Sequence, residues 1–245
     1  MLALYRYSYS YGYGYGIDWS YLLIILALIL SGVAQMMVSS AYNKYSRVRS
    51  MSGRTGAQAA EELLRSQGIF DVRVERVAGS LTDHYDPKSK VLRLSETVYG
   101  SSSVAAVSVA AHECGHAIQH ALGFSPLAIR TAIVPVVNIA SGLSWPLILI
   151  GFLFNSSWSL MLIKIGILLF ASVVLFQLIT LPVEIDASRR GRALLEQNHI
   201  LYDTELEGTN KVLRAAALTY VAGALASILQ LLRLIMLTNN SRRRR

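Results

Sequence analysis

Four stretches of the chain are apolar almost without interruption: 17–38 (IDWSYLLIILALILSGVAQMMV), 131–154, 157–181 and 215–237. Each is long enough, at about 1.5 Å per helical residue, to cross a hydrocarbon core of about 30 Å. The pattern predicts a mainly α integral membrane protein with four hydrophobic helices. The first has a flank of Tyr and Gly rather than basic residues, an apolar core too long for a signal peptide and no small-x-small cleavage site, so it reads as an uncleaved anchor. The fourth carries Gln230 and Arg233, and is either a true crossing or a shallow, re-entrant helix.

Between the spans the periodicity changes. Residues 52–68 (SGRTGAQAAEELLRSQG) read as an amphipathic helix, with Thr55 as N-cap, Ala59, Leu63 and Leu64 as its apolar stripe and Gly68 at its end. VRVERV (72–77) and KVLRLS (90–95) alternate apolar and polar residues, the two-residue period of half-buried strands. The LTDHYDPKSK between them holds turn residues, so a small sheet of two or three strands is expected. Residues 103–122 form a further helix, too short and too polar to span. The first sixteen residues alternate Tyr with Ser and Gly and are expected to be disordered. The expected organisation is therefore an anchor (17–38), a cytoplasmic part (43–130), a transmembrane hairpin (131–181), a cytoplasmic helix begun by Pro182 (182–211), a fourth hydrophobic helix (212–237) and a basic tail (238–245).

Composition sharpens this. The chain is 53% hydrophobic and 16% charged, away from the balance of a soluble domain. Its net charge of +8 is spread along loops without an aromatic-interleaved patch, which argues against nucleic acid as a partner. The cations serve topology instead: eleven Lys and Arg lie between Lys44 and Arg130, and none lies in the link 155–157. The positive-inside rule puts 43–130 in the cytoplasm, and Arg189, Arg190 and Arg192 return there after the third span. Only the tail 242–245 would disagree, if the fourth helix crosses. Cys114 is the single cysteine, so no intrachain disulfide can form, and it reads as a buried, inert thiol.

The candidate chemistry lies in AAHECGHAIQHALG (110–123). Residues four apart on a helix share a face, so His112 and His116 can present imidazoles to one metal. Glu113 projects about 100° further round. That suits it to take the proton of a metal-held water and pass it to a leaving amine. The spacing is the H-E-x-x-H of zinc peptidases, although a helix with histidines facing a polar groove would look the same. The metzincin pattern needs Gly at 119 and His at 122, and Gln119 and Leu122 exclude it. His120 lies too far along the helix to share the metal and is expected in the groove.

A catalytic zinc wants a third protein ligand and an open position. Two spans separate the motif from LPVEIDASRRG, so Glu184 emerges on the same face of the membrane. Glu196, Glu205, Glu207 and His199 do so too, and topology alone does not choose among them. In LTDHYDP, His84 or Tyr85 could stabilise a tetrahedral oxyanion and the strand could align an extended substrate, unless Asp and Pro merely make the turn.

MSGRTGAQAAEELL, LTDHYDP, KVLRLSETVYGSSSVAAVSVAAHECGHAIQHA and LPVEIDASRRGRALL together resemble the bacterial membrane-bound neutral zinc metallopeptidases, the YugP-like proteins, over nearly all of residues 40–235. The resemblance implies a zincin-like cytoplasmic part, a Zn2+ cofactor, His112 and His116 as zinc ligands and Glu113 as the catalytic carboxylate. Likeness to the E-x-x-A motif of HtpX-type peptidases implies Glu184 as third ligand, a gluzincin-like set. Ser188 stands where an Asp usually follows in that motif, which leaves Asp186 or Asp83 to compensate.

The function expected is that of a membrane-anchored zinc endopeptidase of the bacterial cell membrane, with its active site facing the cytoplasm and peptides or membrane proteins as substrates. A non-catalytic four-span scaffold or chaperone-like partner, with structural metal or none, is the alternative. Intramembrane site-2 proteolysis would need an Asp in a later span, and none is present. Small residues in AAALTYVAGALAS (215–227) permit close helix packing within one chain, or between chains in a homo-oligomer or with a membrane partner.

Overall fold

A computed structural model describes residues 20–154 and 156–243. The stretch 1–16 expected to be disordered lies outside the described residues, as does the end of the basic tail. The chain order is α1 (Ser20–Tyr45), α2 (Gly56–Ser66), β1 (Arg73–Val77), β2 (His84–Asp86), β3 (Val91–Ser95), α3 (Glu96–Tyr99), α4 (Val104–Ala121), α5 (Ser125–Leu153), α6 (Ser159–Gln197) and α7 (Asp203–Arg243). Four of these, α1, α5, α6 and α7, are long and apolar enough to cross a membrane. The fold is thus mainly helical, with one small sheet.

The spans differ from their expected limits in one instructive respect. Pro182 does not begin a new helix: it lies inside α6, which runs unbroken from the apolar hairpin into the polar part. A proline interrupts one backbone hydrogen bond. The bond lost is the one to the Leu178 carbonyl; Gln119 of α4 donates Nε2–H instead to the Val183 carbonyl at 2.8 Å, which ties α4 to the turn of α6 that carries Glu184. Likewise α7 begins at Asp203, well before the apolar run, and continues without the break that a re-entrant segment requires.

Outside the spans, the local signals were obeyed. Thr55 caps α2 in a reciprocal box with Gln58: the Gln58 N–H donates to Thr55 Oγ1, and the Thr55 N–H donates to Gln58 Oε1 at 3.0 Å. Ser103 caps α4 through the Ala106 N–H at 3.2 Å. Strand β3 is central, parallel to β1 and antiparallel to β2. Its apolar side chains, Leu92 and Leu94, are fully buried with Leu63, Val107 and Ala111 in one core beneath α4. Part of the stretch read as a turn, His84–Asp86, therefore pairs as a short edge strand, with Asp86 then capping the tight turn through Lys88 and Ser89. Tyr85 pins that strand to α4. Burial, then the nearby charges of Asp71 and Asp86, push its hydroxyl up to about 12, and the hydroxyl shares a hydrogen bond of 2.8 Å with His120 Nδ1.

Candidate metal centre

Helices α4 and α6 cross in backbone contact at two glycines. A Cβ at Gly115 would overlap the Ala187 carbonyl, and one at Gly191 would overlap the Ala111 carbonyl. Ala187 and Gly191 sit one turn apart, as do Ala111 and Gly115, so the two small faces interlock. The crossing sets the neighbouring turns face to face: His112 and His116 on α4, Glu184 on α6.

The three side chains meet as a cluster whose donor atoms all lie within 4.8 Å of one another. His112 Nε2 is 3.2 Å and His116 Nε2 3.5 Å from Glu184 Oε2. Ligands at about 2.0 Å in a tetrahedral zinc site stand about 3.3 Å apart, so these separations fit a metal between them. Glu184 is only 2% exposed, yet its Oε2 accepts no hydrogen bond. A buried, unpartnered carboxylate oxygen costs about 1–3 kcal/mol or more if nothing else binds it. Two imidazole nitrogens and one carboxylate oxygen, with a cavity beside them, are a donor set that could hold a metal ion such as zinc.

The outer atoms of each group are held. With Nδ1 protonated, His112 donates to Ser188 Oγ at 3.0 Å, leaving its Nε2 lone pair for the cluster. His116 donates Nδ1–H to Gln119 Oε1 at 3.0 Å, and Gln119 Nε2 donates in turn to Asp186 Oδ2 at 3.0 Å. Asp186 is anchored by Arg189 and Arg190 at 2.6 and 2.5 Å. Ser188 thus orients one histidine directly, and Asp186 reaches the other through Gln119. Asp83 lines the same cavity but orients neither histidine, accepting instead from the Ser95 N–H at 2.7 Å and from Ser95 Oγ at 3.0 Å to secure β3. Although burial favours a neutral His116, Glu184 and Glu113 outweigh it and raise the imidazole above its ordinary value.

The other carboxylates on this side are occupied. Glu196 pairs with Arg192 at 2.8 Å, Glu207 pairs with Lys211 at 2.5 Å, and Glu205 accepts from the backbone of Met51 and Tyr202 at 2.7 and 3.1 Å. His199 stacks on Tyr202. Only Glu184 of these acids joins the histidines.

A cavity of about 320 Å³ opens onto the cluster. Glu113 is buried in its wall, and no ion pair involves it among the described residues. His84 lines the same cavity, but its Nδ1 is engaged by the Thr82 carbonyl at 2.8 Å and its Nε2 lies 3.4 Å from Arg93 Nη1. Two groups not singled out from the sequence complete the lining. Arg130 of α5 places Nη1 3.3 Å from Glu184 Oε1, and Tyr220 of α7 lines the cavity with them. Arg130 had a sequence signal as the last cation before a span. Tyr220 had none, since one tyrosine in an apolar run resembles any interfacial aromatic.

The sequence model of the family described as "Putative neutral zinc metallopeptidase" matches residues 20–239. A Bacillus subtilis (strain 168) protein named "Putative membrane protease YugP" is 51% identical over 220 residues, covering 90% of this chain and 96% of that protein. No solved structure matches. With the match running from the first spanning helix into the last, the chain belongs to the family described as putative neutral zinc metallopeptidases.

Proposed function

We propose that the protein is a zinc-dependent endopeptidase working at the cytoplasmic surface of the bacterial cell membrane, with His112, His116 and Glu184 as a gluzincin-like ligand set on a zincin-like core. The observation that carries this reading is Glu184 Oε2, buried, without a hydrogen-bond donor and within 3.5 Å of both histidine nitrogens. A zinc ion held there supplies the Lewis acidity that peptide hydrolysis needs. Glu113 accepts a proton from the attacking water and delivers it to the departing amine as the C–N bond breaks. Tyr220 lines the cavity and, rather than His84, whose ring nitrogens face Thr82 and Arg93, donates to the carbonyl oxygen as it becomes negative. His84 and the edge strand β2 flank the cavity, where an extended peptide would lie. The cytoplasmic orientation is supported by the cations between Lys44 and Arg130 and by those after Pro182. Substrates are peptide segments at the membrane surface, because the cavity is walled partly by the spanning helices α5 and α7.

The test is Glu113→Gln. The variant keeps its zinc and loses at least about a hundredfold in peptide hydrolysis. Cleavage at the normal rate would remove Glu113 from the mechanism.

A further inference from the structure

A second concavity, about 660 Å³, runs between α1 and α7 and shares no residue with the metal cavity. Val33, Met37 and Leu218 form apolar walls that are 40–45% exposed. The small side chains of Ser40, Ala41 and Ala215 also line it and leave the hollow unfilled. Lone apolar side chains on a spanning helix simply face lipid tails, but a groove of this size between two of them receives something.

Charge identifies the occupant. Lys44, in the last turn of α1, and Lys211 and Arg214, early in α7, line the same groove. Arg214 directly precedes the apolar run 215–237, and Lys44 follows the run 17–38, so all three cations sit at one edge of the apolar zone. Lys211 is paired with Glu207, Lys44 rests 5.4 Å from the Tyr45 ring centre, and exposed Arg214 has no ion pair among the described residues. Three cations against one carboxylate leave two positive charges over. We infer that the α1–α7 groove is a binding site for an anionic phospholipid drawn from the bilayer, its acyl chain in the apolar channel and its phosphate at Arg214, Lys44 and Lys211. Basic pockets between spanning helices take acidic headgroups by this combination of charge and apolar contact. The site is independent of the metal chemistry.

Native mass spectrometry of the full chain in detergent, titrated with phosphatidylglycerol, phosphatidylcholine or glycerol 3-phosphate, tests it. The unmodified protein retains phosphatidylglycerol in preference to phosphatidylcholine. Arg214→Gln, at an exposed site where folding is undisturbed, weakens that retention about fivefold, the effect of one interfacial cation. Adding Lys44→Gln and Lys211→Gln abolishes the preference. Arg65→Gln with Arg73→Gln, which removes two exposed cations that do not line the groove, leaves it intact. Equal retention of both lipids, equal loss in the Arg65/Arg73 variant, or glycerol 3-phosphate binding as tightly as the lipid would each overturn the proposal.

Discussion

Arg130 Nη1 stands 3.3 Å from Glu184 Oε1, while the other oxygen of the same carboxylate faces the two histidines. The guanidinium thereby divides the work of one side chain. It holds Oε1, and only Oε2 is presented to a metal. Arg130→Gln should weaken zinc affinity about tenfold to a hundredfold, the usual cost of losing an outer partner of a ligand. Competition with a chromogenic chelator measures it, and unchanged affinity would mean that Glu184 is oriented by packing alone.

Gln119 links His116 to Asp186 and the Val183 carbonyl. Gln119→Leu leaves the buried His116 Nδ1–H without its acceptor and takes one donor from Asp186, which keeps Arg189 and Arg190, so it should cost about 1–3 kcal/mol in stability as well as zinc affinity. Ser188→Ala removes a single partner of the less buried His112 and should lower zinc affinity with a smaller loss of stability. Thermal unfolding of the metal-free proteins separates the two.

The α4–α6 crossing tolerates no side chain at Gly115 or Gly191. Either one changed to Ala should destabilise the protein by about 1–3 kcal/mol and, by moving the histidines away from Glu184, reduce bound zinc. A variant of normal zinc content would show that the helices can shift without opening the cluster.

His116 must be neutral to bind zinc, and its value in the metal-free protein is raised. A proton therefore competes with the metal up to a higher pH than at an ordinary histidine, and zinc affinity falls as the pH drops through that raised value. Zinc titrations across a pH series check the direction: affinity that is flat or rises on acidification contradicts it.

Cys114 is fully buried, with Sγ 3.6 Å from the Ala60 carbonyl, and burial pushes its thiol upward. Iodoacetamide should leave it unmodified in the folded protein and label it after denaturation. Rapid labelling of the native chain would contradict that placement.

Much of this could be read from residue order. The four apolar runs, the N-cap at Thr55 and the i, i+4 histidines are local signals, and each run reappears inside a long helix, with Thr55 capping α2 and both histidines on α4. Glu184 was harder, because four other acidic or imidazole side chains emerge on the same face. What separates them is partnership: Glu196, Glu205 and Glu207 already have donors, whereas Glu184 keeps one oxygen bare. Pro182 misled about helix limits because proline disfavours a helix locally, whereas here α6 gives up one backbone hydrogen bond and stays helical through its packing against α4 and α5. Tyr220 and Arg130 belong to helices far apart in sequence, and only their packing around α6 brings them to one cavity beside Glu184.

The most direct test of the account is zinc content per chain in detergent-purified protein, compared between the unmodified sequence and Glu184→Ala. One zinc per chain that is largely lost in the variant is the predicted result. Equal zinc in both would exclude Glu184 as the third ligand, and no zinc in either would leave His112 and His116 as polar residues of a membrane scaffold.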